Sequence, residues 1–354
     1  MTKPPPTPRH PAGVSIATVA QHAGVSIATV SRVMNGIANK ASATTTERVR
    51  RAIADLGYRP VSVGRALRVR QSRLVALLVA NLANPAMAAI AASVEEALRQ
   101  EGLVMVVCDT NDRPEIQDEY LLEMRAQLVR ATVFLGAVAS PVLSAMTHDQ
   151  EPLLFVNRRA PDDPNQPFIG IDNMRAGQEV AAFFATREIP VQGIIHGPQT
   201  SSATADRIAG FRAALAAHGQ NLPDSRIRTL DSLDHVQIGY RTAAALVGTN
   251  RPPRCGLFCL SDLIAYGAHR ALQEAGLRVP EDVVLVGFDD NPLNDWLVPW
   301  LTSVRVPYDR FGEAVVQSLH SIWSRQVTPP LLLQHRLVIR DGNTAPYQSN
   351  GSPT

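Results

Sequence analysis

Cysteine is scarce in this chain of 354 residues, which contains only three. Cys108, Cys255 and Cys259 lie in apolar runs, so we expect buried free thiols rather than a disulfide framework. The Cys255–Cys259 segment has no neighbouring histidine, which argues against a metal site of the usual ligand spacing. We therefore expect the protein to use neither a metal nor a cofactor.

Long hydrophobic runs are also missing. No apolar run approaches the length of about 18 residues that a membrane helix needs, and the proline-rich start has no apolar signal-peptide core. We expect a cytoplasmic protein with no membrane contact. Residues 1–13 are predicted to be a disordered tail, and so are residues 341–354, where breakers and the lack of a heptad exclude a coiled coil.

Catalytic patterns are absent as well. The nine histidines show neither a Ser/His/Asp order nor metal-ligand spacing, and no nucleophile elbow is present. A hydrolase or transferase could still use the neighbours Asp289 and Asp290. Adjacent residues at a strand end point to opposite sides, however, so they cannot flank one substrate. We expect that the protein is not an enzyme.

Positive charge is distributed unevenly along the chain. Residues 1–73 contain twelve Lys/Arg against two acidic residues, giving +10, whereas the remainder has 22 basic and 30 acidic residues, giving −8. A basic head on an acidic body is typical of a polyanion-binding module joined to a sensor. The plainer interpretation is a solvated basic face.

A helix-turn-helix layout lies within the basic segment. Gly24 offers a turn, Ser26 can cap a second helix and Gly36 can end it. A short helical segment at 16–23 precedes them, which completes the order helix, glycine turn, helix. The same spacing fits a helical hairpin in an ordinary core, and the charge of the segment favours the DNA-binding interpretation.

A third helix is predicted at 45–56, ending at Gly57. The residues Thr44-Thr-Thr-Glu47 have the spacing of a capping box. Residues 14–60 are therefore assigned to a helix-turn-helix DNA-binding domain.

Residues 61–73 are predicted to form a hinge. Arg65 and Arg68 flank Leu67, and a segment this short and basic can fold on contact with DNA, with Leu67 entering a minor-groove step. A plain charged linker is the alternative, and both descriptions can hold.

From Leu74 to residue 340 the sequence consists of short apolar runs that alternate with helical segments. Strands buried on both faces and separated by helices indicate parallel α/β sheets. Two successive blocks, the second starting near Ile169, predict two lobes with a ligand cleft beyond the carboxyl ends of the strands. The chain is expected to finish with a helix at 308–323 and one strand-like segment at 331–340.

The segment from Thr18 to Gly36 strongly resembles the head signature of the lactose-repressor/galactose-repressor family. Further motifs that resemble this family are Leu56-Gly-Tyr-Arg-Pro60, Asn84-Pro85, Gly170-Ile-Asp-Asn173, Arg207-Ile-Ala-Gly-Phe211, Ser261-Asp262 and Val279-Pro-Glu-Asp-Val-Val-Leu-Val-Gly-Phe-Asp-Asp290. The resemblance runs from about Ile16 to Arg340. It implies an all-α helix-turn-helix head and a two-lobed body of the periplasmic-binding-protein type. The implied function is a ligand-responsive transcription regulator, with operator DNA, a small effector and a second copy of the chain as partners.

The resemblance also assigns roles in DNA binding. Ile27, Ala28 and Arg32 match positions that meet base edges, and Arg32 can pair with guanine. The positions that match phosphate contacts or helix braces are Thr18, Ser26, Thr29, Ser31 and Asn35. Val61 and Gly64 depart from the family in the hinge, and a glycine there costs about 1 kcal/mol of helix stability.

Six residues match positions that line the effector cleft of the family: Asn157, Arg158, Asp172, Arg207, Ser261 and Asp289. Their donors and acceptors suit a sugar, a sugar acid such as gluconate, or a polyol. Arg158 is the weaker candidate and can act as a brace, and the alternative for Asp172 and Asp289 is loop capping.

Aromatic residues are missing after Asn84-Pro85, where relatives often have them. Trp296 or Trp300 can supply that platform, or can pack within a lobe. A solute-binding protein of the same fold would have an export signal and no basic head, and this chain shows the reverse.

Overall fold

The computed structural model describes residues 14–34, 41–58, 72–198, 201–248 and 254–340. The chain divides into two compact units, Met1–Gln71 and Ser72–Thr354. Several predictions lie outside the described residues: those for both tails, for 61–71 of the hinge, and for Asn35, Gly36, Arg65, Leu67 and Arg68.

In the described part of the first unit there are three helices, α1 (Ile16–His22), α2 (Ile27–Met34) and α3 (Ala43–Asp55). A serine caps each of them, because its hydroxyl accepts a hydrogen bond from the amide three residues on, at 3.2 Å. The capping residues are Ser15, Ser26 and Ser42. The predicted capping box at 44–47 is therefore wrong: Ser42 starts α3 two residues earlier than predicted, since its Oγ receives the amide of Thr45.

The second unit is an α/β body. Its described helices are α4 (Pro85–Gln100), α5 (Pro114–Ala126), α6 (Pro141–His148), α7 (Asn173–Thr186), α8 (Ser202–Ala217), α9 (His235–Val247), α10 (Asp262–Glu274), α11 (Asn294–Leu297) and α12 (Phe311–Trp323). Its described strands are β1 (Leu74–Val79), β2 (Val104–Asp109), β3 (Ala131–Leu135), β4 (Leu153–Val156), β5 (Phe168–Ile171), β6 (Val191–Ile195), β7 (Ile227–Arg228), β8 (Cys255–Cys259), β9 (Val283–Asp289), β10 (Thr302–Arg305), β11 (Leu331–Leu333) and β12 (Arg336–Val338).

The strands form two six-stranded sheets, one in each lobe. Lobe 1 has the order β11-β5-β4-β3-β1-β2, and lobe 2 has the order β12-β10-β9-β8-β6-β7. Neighbours run parallel except β10 and β12, which are antiparallel. The central strands are buried along their length because helices cover both faces, which explains their continuous apolar runs.

The lobes are not successive in the chain, which corrects the prediction. The strand at Ile169 belongs to the first sheet, and α12 and β11 return to lobe 1 after lobe 2 has formed. The segment 331–340 is two strands, one in each sheet, because the chain crosses between the lobes at 334–335. It also crosses near Asp172 and Val306, so three connections join the lobes.

Glycines allow two helix pairs of lobe 2 to pack unusually closely. A Cβ on Gly210 of α8 would lie 2.0 Å from the carbonyl oxygen of Met174 in α7, and one on Gly177 would lie 2.2 Å from that of Arg207. Only residues without side chains fit such an approach. The same reciprocal arrangement joins α9 to α10, at Gly239 and Gly267.

Two expectations from the composition can be compared with the described residues. All three cysteines are buried, and Cys108 and Cys259 are free thiols. None of the helices in the described ranges has both the length and the apolar character that crossing a bilayer requires.

Candidate functional site

One face of α2 packs into the head, and the other face is displayed. Val30 is fully buried against Val19 and Val49. On the opposite side, Ile27 is 49% exposed, and Arg32 is exposed as well. Ala28, the third residue predicted to meet base edges, is exposed beside them. The helix therefore presents two apolar side chains and one guanidinium to a partner.

Of the residues predicted to contact phosphate or to brace a helix, Thr18, Ser26 and Thr29 lie at the starts of α1 and α2, and Ser31 lies in the middle of α2. Thr18 and Ser26 are exposed, whereas Thr29 and Ser31 are half-buried. The Ser26 hydroxyl lies 2.9 Å from that of Thr29 and also caps α2. Hydroxyl groups and free amides at a helix N-terminus are suited to a phosphate.

A narrow cleft lies between the two lobes at the carboxyl ends of the strands. Five of the six residues predicted for effector binding line it: Asn157, Arg158, Arg207, Ser261 and Asp289. The cavity in the cleft has a volume of about 70 Å³. The lobes are therefore closed around it. This position agrees with the general location of ligands in parallel sheets.

Arg207 is held in place by three contacts in the cleft. Its Nε donates to Asn173 Oδ1 at 2.8 Å, and its Nη1 donates to the Leu260 carbonyl at 3.1 Å. Its guanidinium carbon lies 3.4 Å from the centroid of the Phe288 ring. Burial lowers its pKa to about 10, so it stays protonated at neutral pH. Among the described residues, none accepts a hydrogen bond from its Nη2.

Asp289 is the acidic group of the cleft. Burial raises its pKa to about 7, against the opposing effect of the positive charge on Arg207. Of the salt bridges among the described residues, none joins Asp289 to Arg207. A buried cation and a buried acid are thus presented separately, and a ligand between them can bond to both.

His235 and Tyr308 complete the cleft, and the sequence did not indicate either. His235 Nδ1 lies 2.9 Å from Ser261 Oγ, and burial together with the positive Arg158 lowers the pKa of His235 to about 4. The imidazole is therefore neutral at pH 7 and can both donate and accept. The Tyr308 hydroxyl is buried in the cleft beside Asp289, with which it interacts directly.

Asp172 lies outside this cleft lining, in contrast to the prediction. Its carboxylate caps α7 by accepting from the Arg175 amide at 2.9 Å, which is the capping alternative. The next residue, Asn173, is the one that orients Arg207. Arg158 lines the cleft and also acts as a brace, through its ion pair with Asp112.

Of the two alternatives for the tryptophans, Trp300 follows the second, because it packs against the core of lobe 2. Trp296 is 78% exposed on α11, and the Trp300 ring lies 4.5 Å from that of His269. Neither tryptophan is part of the cleft lining. Tyr308 lines the cleft instead, and its pKa is raised by burial and then by the charge of Asp289.

The neighbours Asp289 and Asp290 have different surroundings. Asp290 is fully buried and pairs with Arg305 and with Arg340, whose Nη1 donates to it at 2.7 Å. Asp289 lies in the cleft instead. The two carboxylates therefore do not act together on one ligand.

Comparison with known proteins agrees with both parts of the molecule. Residues 15–61 match the bacterial regulatory proteins of the lacI family, and residues 176–342 match a periplasmic binding protein-like domain. The ribose operon repressor of Halalkalibacterium halodurans is 32% identical over 303 residues, which is 83% of this chain and 86% of that protein.

Two solved structures are similar over nearly the whole chain. One is the lac repressor dimer bound to operator and the anti-inducer ONPF, with 26% identity, a TM-score of 0.77, and coverage of 94% of this chain and 99% of that one. The other is the complex of the transcriptional regulator CelR with cellobiose, with 29% identity, a TM-score of 0.67, and coverage of 92% and 99%.

A helix-turn-helix head joined to a two-lobed ligand-binding body defines a DNA-binding transcription regulator rather than an enzyme. The chain belongs to the lacI family of bacterial transcriptional regulators.

Proposed function

We propose that this protein is a repressor that binds an inverted-repeat operator as a homodimer and responds to a small polyhydroxylated effector. The DNA contacts are made by the domain at 14–60 and the hinge at 61–73. The effector, a sugar, a sugar acid such as gluconate, or a polyol, binds in the cleft of the body at 74–340.

The proposal for the effector rests on Arg207 and Asp289, which both line the cleft and form no salt bridge with each other. A hydroxyl group both donates and accepts, so a ligand rich in hydroxyls can bond to an acid, a guanidinium and the buried Tyr308 hydroxyl at once. Two similar proteins support the same effector class, since one is a ribose operon repressor and the other forms a complex with cellobiose.

An exposed apolar surface on lobe 2 supports the homodimer. Leu293, Trp296 and Leu297 are 54%, 78% and 71% exposed beside one another at α11. Contiguous exposed apolar groups of this size are typical of protein interfaces. The similar lac repressor is described as a dimer on its operator.

Thermal-shift screening of the full chain against sugars, sugar acids, polyols and nucleobases tests the effector class. A ligand that binds only the folded body raises the melting temperature. We expect a shift with a hydroxyl-rich ligand and no shift for Asp289→Ala with the same compound. A shift with nucleobases alone, or one that Asp289→Ala retains in full, would refute the proposed site.

Gel-shift titration tests the homodimer and the operator. The DNA is the promoter beside the protein's own gene, compared with the same duplex carrying one half-site scrambled, at roughly 150 mM salt. A dimer that reads both half-sites should bind the intact duplex much more tightly. Equal affinity for the intact duplex and the one with a scrambled half-site would contradict a dimer that reads both half-sites.

Replacing Arg32 by alanine should relax sequence preference. A guanidinium that pairs with a base edge contributes about 1–3 kcal/mol of discrimination, so we expect a roughly tenfold loss between the operator and a single-base variant. Arg48→Ala on α3 is the matched control, because that exposed arginine is not on α2. Equal loss of discrimination in the two variants would remove Arg32 from base reading.

The affinity for an uncharged polyol should rise with pH through about 7. The ionised form of Asp289 is the better acceptor of hydroxyl donors, and its pKa of about 7 places the change in that range. A sugar acid whose carboxylate lies beside Asp289 should show the opposite slope, because ionisation adds a second negative charge. Calorimetric titration at several pH values measures the slope, and Asp289→Asn should abolish it.

A further inference from the structure

Arg159 joins the two lobes at the rim of the cleft. It follows β4 in lobe 1, and its Nη1 and Nη2 donate to the two carboxylate oxygens of Asp206 in lobe 2, at 2.7 and 2.9 Å. Its backbone amide also donates to Ser202 Oγ at 2.9 Å. Both partners lie in the first turns of α8, so one residue of lobe 1 holds the start of one helix of lobe 2 at two points.

The geometry of this contact is that of a strong ion pair. Two parallel N–H···O bonds between a guanidinium and a carboxylate fix orientation as well as distance. The side chains are partly shielded, with 40% of Arg159 and 22% of Asp206 exposed. The hydrogen bond to Asp206 also raises the pKa of Arg159, which keeps the charge in place.

The contact is adjacent in sequence to two residues of the cleft. Arg158 and Arg207 both line the cleft, and they precede Arg159 and follow Asp206 respectively. Because the pair joins residues of the two lobes, separating the lobes at this point would break it. Arg159 itself does not line the cleft.

We propose that Arg159 and Asp206 form an inter-lobe latch that sets the fraction of molecules with closed lobes before any effector binds. When a larger fraction of the free protein molecules has closed lobes, the apparent affinity for a ligand enclosed between the lobes is higher. The latch thus tunes the effector response without touching the effector, whichever compound the cleft takes. Arg159 is a positioning residue in this sense.

Intramolecular energy transfer measures lobe separation directly. Ala126→Cys at the end of α5 and Ala217→Cys at the end of α8 place exposed labelling sites on lobe 1 and lobe 2, while the three native cysteines are buried. Labelled full-length chains are diluted into an excess of unlabelled chains, so that transfer within one chain is observed. No effector is needed for this measurement.

Arg159→Ala and the nearly isosteric Asp206→Asn should each raise the ratio of open to closed molecules about three- to tenfold. The exchanged pair Arg159→Asp with Asp206→Arg should return the ratio toward the wild-type value. Arg212→Ala is the matched control, since it removes an ion pair with Asp224 from the same helix but within lobe 2.

A contact that only supports the first turn of α8 gives a different result. The melting temperature would then fall in the single variants while the distance distribution stayed as in the wild type. That outcome overturns the latch, and so does an exchanged pair that is no closer to wild type than either single variant. If Arg159→Ala fails to fold, Asp206→Asn and the exchanged pair Arg159→Asp with Asp206→Arg test the latch without it.

Discussion

Arg207→Ala is expected to weaken binding of the effector about 100-fold. A hydrogen bond from a charged donor contributes about 1.5–3 kcal/mol, and the loss is largest where water cannot replace it. The substitution has a second consequence at Asp289, because Arg207 is the charge that lowers the pKa of that acid. Without it, Asp289 is protonated at neutral pH and becomes a poorer acceptor for the same ligand.

Calorimetric titration with the compound found by thermal-shift screening measures this loss. Arg207→Lys separates charge from shape, since lysine keeps the charge but cannot reach Asn173 and Leu260 together, and we expect an intermediate affinity. Arg212→Ala, five residues further along α8 and 41% exposed, should bind as the wild type does. An Arg207→Ala variant that is folded and retains full affinity would show that the effector lies elsewhere.

Gly210→Ala is expected to destabilise the body by about 3 kcal/mol, which corresponds to a fall of about 5–10 °C in melting temperature. The new Cβ would lie 2.0 Å from a backbone oxygen of α7, so the two helices must separate. Helix propensity alone predicts the opposite sign, because alanine is better than glycine in a helix by about 1 kcal/mol.

The sign of the change is therefore the test of the close helix packing. Ala213→Gly, at an exposed position of the same helix, supplies the propensity effect without the contact and should cost about 1 kcal/mol or less. Denaturant unfolding curves give the free energy of unfolding of both variants, provided that the slope of this free energy against denaturant concentration is unchanged. A more stable Gly210→Ala variant would mean that α7 and α8 are not in contact at this point.

The buried strands of the body were predictable because each is an apolar run with clear limits. The apolar runs Leu74–Val79 and Leu153–Val156 coincide with β1 and β4, since both faces of these strands are covered. β10 was missed because Thr302-Ser-Val-Arg305 has no such run, although Thr302, Ser303 and Val304 are buried. α11 was missed because four residues are too few to show helical periodicity.

The site could be predicted only in part, for a related reason. Arg207, Ser261 and Asp289 lie within family motifs, so their position along the chain was informative. His235 reaches the cleft through a contact with Ser261, 26 residues away in sequence, and Tyr308 lies where the chain crosses between lobes. Such contacts depend on how the lobes are connected, and a local sequence pattern does not predict the connections between lobes.

Both sheets take an edge strand from residues 331–340, with β11 beside β5 and β12 beside β10. A nascent chain on the ribosome therefore cannot complete lobe 1 until translation has passed Leu333, or lobe 2 until it has passed Val338, whereas the last described helix of the head ends at Asp55. Unfinished sheets expose unpaired strand edges, which are prone to aggregation. A stop codon shortly before residue 331 would consequently leave two incomplete lobes rather than one intact lobe and one truncated lobe.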